Sequence, residues 1–118
     1  MATKNGLPAI HPGEYLKEIL EELHLSQNAF ALSIGVSAMR ISHVVHGKRP
    51  ITAELAVLFA RAFGQTPQYW MNLQASYDLK VTEKAMARRI KQVQPIVEGA
   101  STWRKPVSIL NLPHNLLM

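Results

Sequence analysis

The sequence contains no cysteine. That excludes disulfides, thiolate zinc sites, cysteine-ligated iron–sulfur clusters and cysteine nucleophiles together, and it suits a reducing, cytoplasmic setting. Charge is sparse: Asp, Glu, Lys and Arg make up 18% of the 118 residues. Aromatic side chains reach only 7%. No apolar run approaches the ~20 residues of a membrane span. Residues 1–6 lack the apolar stretch of a secretory leader. No membrane partner is expected. Apolar content, at 47%, is ordinary and supplies one modest core, which argues against wholesale disorder.

The net charge is +5, from 13 basic and 8 acidic residues. A basic total points weakly to a polyanion. Position says more. Residues 1–79 are neutral overall, and the excess lies in residues 80–118. Within the neutral part, residues 14–22 hold Glu14, Glu18, Glu21 and Glu22 against Lys17. Residues 37–49 hold Arg40, Lys48 and Arg49, with His43 and His46, and no acid.

Pro, Gly and small polar residues punctuate the chain into helices. His11-Pro12-Gly13-Glu14 opens the first, because a proline loses nothing in a first turn. Tyr15, Leu16, Ile19, Leu20 and Leu23 follow at helical spacing. Ser26 caps a second helix over residues 27–34, and Gly35 breaks it. Ser37 caps a third over residues 38–46, closed by Gly47. Thr52 caps a fourth over residues 53–63, stopped by Gly64. Thr66-Pro67 starts a fifth, with Tyr69, Trp70, Leu73 and Tyr77 as its bulky positions. A further basic helix is expected over residues 82–93. Pro95, Gly99, Pro106 and Pro113 interrupt the rest, where residues 107–112 are a weak strand candidate. The expected architecture is therefore all-α, about five helices with a C-terminal helix and an irregular tail. Residues 1–94 form the domain, and residues 95–118 form a conditionally ordered tail.

The second and third helices carry the functional signal. Phe30 and Ile34 share a face, Ala31 suits a close helix approach, Gly35 suits the turn, Val36 fills beneath it, and Ile41 and Val44 bury the third helix. This is the pattern of a helix-turn-helix, whose second helix enters a DNA major groove. The outward set follows by subtraction. Ala38 and Met39 are placed to touch a thymine methyl, and Arg40 or His43 to donate to a guanine edge or to phosphate. Ser42 shares that exposed set. Ser37, Lys48 and Arg49 are expected on the DNA backbone. Gln27 is expected at a phosphate beside a helix N-terminus.

Residues 11–79 resemble the helix-turn-helix antitoxins of the HigA/VapI type, a branch of the xenobiotic-response-element (XRE) regulators with a lambda-repressor-like fold. The resemblance is carried by His11-Pro-Gly-Glu14, Leu16, the helix pair over residues 26–45, Gly47-Lys48-Arg49 and Ile51. It is carried above all by Phe63-Gly64-Gln-Thr-Pro67 running into Trp70-Met-Asn-Leu73-Gln74 and Tyr77-Asp78-Leu79. It implies a homodimer on a palindromic operator of double-stranded DNA, repression of its own operon, and neutralisation of a HigB-like, mRNA-cleaving toxin. The expected dimer surface is the fifth helix, through Trp70, Leu73 and Tyr77. A stand-alone XRE-type regulator without a toxin is the alternative, and an interaction module that has lost DNA binding is a third reading.

Plainer readings stand beside these. His43 and His46 are spaced to ligate zinc, but no neighbouring acid or cysteine completes a set, so neither metal nor cofactor is expected. The Tyr69–Tyr77 stripe reads as core or interface rather than a ligand pocket. The glutamates read as a solvated face rather than catalytic carboxylates. No serine sits in a Gly-x-Ser-x-Gly setting and no phosphate-binding glycine loop exists, so no enzymatic activity is expected.

Overall fold

The computed structural model describes residues 8–97, and every regular element among them is helical. The order is α1 (Pro12–Glu22), α2 (Gln27–Ile34), α3 (Ala38–Val45), α4 (Ala53–Phe63), α5 (Pro67–Ala85) and α6 (Ala87–Lys91). The residues fall into two compact units, the first ending at Ala85 and the second beginning at Met86. The expected strand at 107–112 and the tail lie outside the described residues. Among the described residues, no helix is long and apolar enough to cross a membrane.

The helix starts follow the local chemistry. The hydroxyls of Ser26, Ser37 and Thr52 accept from the backbone N–H three residues on, at 3.0, 3.1 and 3.2 Å. Each satisfies one of the donors left over at a helix N-terminus. His11 does the same for α1 through Nδ1, which accepts from Gly13 N–H at 2.9 Å. The helix ends share one solution as well. Gly35, Gly47 and Gly64 close α2, α3 and α4 at φ of 77°, 73° and 70°. α1 closes the same way with His24 at φ 54°, a backbone region where a side chain is strained.

The core of the first unit gathers Leu16, Leu20, Phe30, Ile41, Val44, Leu55, Phe59 and Trp70 from all five of its helices. α2 packs on α3, α1 on both α3 and α5, and α4 on α5. Ala31 is wholly buried at the α2–α3 approach, and Val36 packs beneath the turn. Phe30 stacks on Phe63 with centroids 5.1 Å apart.

Two expectations are corrected here. A separate helix does not begin at Thr82, because α5 runs unbroken for 19 residues to Ala85. Nothing between Gln68 and Gln94 is proline or glycine, so no stop precedes residue 82. Nor does Trp70 offer a surface to a second copy. It has no exposed area, sits edge-on to Phe59 at 5.2 Å, and donates Nε1–H to Gln65 Oε1 at 2.6 Å. The indole fills the space between α4 and α5, against Phe59 and Phe63.

Candidate nucleic-acid interface

α2, the Gly35 turn and α3 form the helix-turn-helix. Ile41, Val44 and Val45 bury one side of α3. Met39, Ser42, His43 and His46 then recur at spacings of three and four on another side. Met39 is largely exposed, Ser42 and His43 are half-buried, and His46 is exposed. Ala38 is half-buried and packs partly against the core, which leaves it less surface than Met39. Ser37 is exposed, and its Oγ accepts from Arg40 N–H. Gln27 is half-buried at the first position of α2, one residue past the Ser26 cap.

Lys48 and Arg49 follow α3 directly and are both exposed. Their backbone N–H groups donate to a single carbonyl, that of His43, at 2.8 and 3.2 Å. The turn is therefore a continuation of the helix end, and both basic side chains start from a fixed backbone. Neither makes an ion pair among the described residues.

Arg40 is different. Its Nη2 donates to Glu54 Oε1 at 3.1 Å and lies 3.4 Å from Thr52 Oγ1. The stretch that is free of acid along the chain is thus not free of acid in space. A guanidinium has five donors and both contacts use one nitrogen, so the rest of the group stays available. Ser42 is also engaged: its carbonyl lies 2.8 Å and its hydroxyl 3.3 Å from His46 Nδ1.

The C-terminal end of α3 is held from beneath by α1. A side-chain carbon on Gly13 would overlap the Val44 carbonyl, lying 2.8 Å from its carbon. His11 is buried beside it, with its ring against Gly47 and edge-on to Tyr77 at 4.9 Å. Burial pushes the His11 ring below the ordinary histidine value of 6.5, against the opposing pull of the Arg49 backbone, Asp78 and Glu14. The sequence marks His11 as an opening-turn residue, and no local pattern announces this seat. Another unforeseen tie is the buried Gln74, whose Oε1 accepts from Ile51 N–H at 2.7 Å while its Nε2 donates to Asp78 at 2.9 Å.

On α5, Leu73 and Tyr77 are half-buried, and Leu79 and Val81 are exposed. Tyr69 lines an open groove of about 490 Å³ with Tyr15, Ile19, Glu18, Glu21 and Glu22. Trp70 and Tyr77 take no part in it, so the aromatic stripe of α5 is divided between core and surface.

Comparison with known proteins agrees with this geometry. A helix-turn-helix family profile matches residues 16–70. Virulence-associated protein I of Dichelobacter nodosus is 46% identical over 84 residues, covering 70% of this chain and 78% of the relative. Among solved structures, an addiction module antidote protein of the HigA family from Coxiella burnetii superposes with a TM-score of 0.74 at 38% identity. The match covers 75% of this chain and 99% of that one. The Pseudomonas aeruginosa antitoxin HigA, determined with the higBA promoter, gives 0.73 at 36% identity with the same coverage. The profile match takes in the helix-turn-helix, and the chain belongs to the HigA/VapI-type family of XRE helix-turn-helix proteins.

Proposed function

We propose that this protein is a homodimeric, operator-binding antitoxin that neutralises a HigB-like, mRNA-cleaving toxin and represses its own operon. The observation that carries the DNA-binding part is the continuity of the α3 surface with the Gly47 turn. Met39 and His43 stand on the outer side of α3, Arg40 flanks them, and Lys48 and Arg49 extend from the same helix end. The related HigA structure that includes promoter DNA supports the same use of the motif.

In this reading Arg40 and His43 address base edges, Met39 and Ala38 meet thymine methyls, and Ser42 lies beside them. Ser37, Lys48, Arg49 and Gln27 hold phosphates. Two copies place their α3 helices in successive major grooves ~34–36 Å apart. Half-buried Leu73 and Tyr77, with exposed Leu79 and Val81, provide apolar surface on α5 for the pairing. The toxin and the autoregulation rest on family membership.

Fluorescence anisotropy on DNA from the protein's own promoter tests the interface. Arg40→Ala combined with His43→Ala is expected to weaken binding more than about tenfold, with helicity by circular dichroism retained. Lys48→Ala is expected to weaken all sequences alike and to reduce the log–log salt slope by about 0.9. Unchanged affinity in the double variant would remove α3 as the reading helix. Light scattering reports the dimer, and co-purification with the product of an adjacent small reading frame reports the toxin. Absence of that partner would leave a stand-alone regulator.

A further inference from the structure

Among the described residues His11 is the one buried histidine, and it touches three elements at once. Its Nδ1 caps α1 through Gly13 N–H at 2.9 Å. Its ring carbons would lie 3.7 and 3.8 Å from a side-chain carbon on Gly47, so the ring fills the space under the turn after α3. Its edge meets Tyr77 of α5. Nδ1 accepts a hydrogen bond, so that nitrogen carries no proton in this arrangement. Adding one would set two N–H groups against each other in a buried place and would end the cap.

We propose that His11 is a positioning residue for the Gly47–Arg49 turn, and that only its neutral ring, with Nδ1 unprotonated, holds that turn in place for the phosphates of DNA. The proposal deepens the DNA-binding reading above and rests on it. The groups facing His11 are Glu14 of α1, Tyr77 and Asp78 of α5, and the Arg49 backbone in the turn. Both carboxylates favour the protonated ring, while burial opposes it more strongly.

The sign follows from the neutral ring. A buried neutral histidine binds fewer protons in the folded chain than in the unfolded one. The contribution of the seat is therefore full above the ordinary histidine value and is lost as pH falls below it. Acid should loosen the Lys48–Arg49 turn and weaken DNA binding.

The test compares the full-length protein with His11→Asn on promoter DNA between about pH 7.5 and about pH 5.5. Asparagine supplies an oxygen for the helix cap but neither a titrating ring nor a filling for the space under Gly47. The variant should bind about threefold more weakly at neutral pH. The ratio of wild-type to variant affinity should then fall about threefold once the pH has dropped below the midpoint of the His11 ring in the folded protein. In parallel, NMR on the DNA-free protein should show the Lys48 and Arg49 amide signals shifting with the same midpoint as the His11 ring. Parallel pH profiles for the two proteins, or turn amides that ignore the His11 titration, would overturn the proposal. If the wild type binds no promoter DNA at any pH, the DNA reading fails, while the NMR arm still decides whether His11 governs the turn.

Discussion

The two ends of α3 are held in opposite ways. At its N-terminal end, Arg40 pairs with Glu54 across a surface where the two side chains are 33% and 66% exposed. Such a pair contributes little to stability and yields to salt. At its C-terminal end, Gly13 of α1 presses on the Val44 carbonyl and His11 fills the space under Gly47. That end is fixed by contact, and His11 is itself held by its buried hydrogen bond to Gly13 N–H. The end expected to read bases is loosely tethered, and the end expected to grip phosphates is rigidly built. Base contacts must adjust to sequence, whereas phosphates recur at the same spacing everywhere.

Substitutions can break this contrast. The largest effect is expected at the rigid end. Gly13→Ala should destabilise the fold by about 3 kcal/mol or more in urea unfolding, because the added carbon meets backbone rather than a flexible side chain. A loss under about 1 kcal/mol would mean that α1 can slide off α3 without cost.

At the loose end, Glu54→Gln should change stability by less than about 1 kcal/mol, the scale of a surface pair plus a charge at a helix start. Its effect on DNA should exceed its effect on folding. Removing a carboxylate beside the reading face should tighten binding to all sequences. Releasing Arg40 should lower the ratio of operator to random-sequence affinity by about threefold. An unchanged ratio would show that the charge of Glu54 does not set how Arg40 meets the bases.

The smallest effect lies away from both ends. His24→Gly relieves the strained close of α1 and should raise the thermal midpoint slightly, for a gain below about 1 kcal/mol. A loss there would mean that the His24 side chain makes a stabilising contact that outweighs the strain.

The contrast also explains what the sequence made legible. Ser26, Ser37, Thr52 and the glycines at 35, 47 and 64 act on residues within one turn, so their roles could be read from spacing alone. The helix-turn-helix followed from them. The Arg40–Glu54 pair spans 14 positions and the Ile51–Gln74 bond spans 23, and no local pattern announces either. Trp70 illustrates a different difficulty. Its spacing with Leu73 and Tyr77 marks a helical face correctly, but whether that face meets its own core or a neighbour depends on where α4 lies. The overlong α5 shows the same point for boundaries: without proline or glycine, nothing in the chain signals an end at residue 82.

The His43 carbonyl accepts from both Lys48 and Arg49. In the proposed binding mode, one oxygen thus joins the helix that would read bases to the turn that would hold phosphates, and acts as a common datum for both. The distance from base reader to backbone grip is set by a single turn of chain, much as the jaws of a caliper share one beam. A residue inserted after Gly47 would leave α3 intact and shift the grip alone. No change in the base sequence of the operator would restore the match, because the mismatch would be one of length.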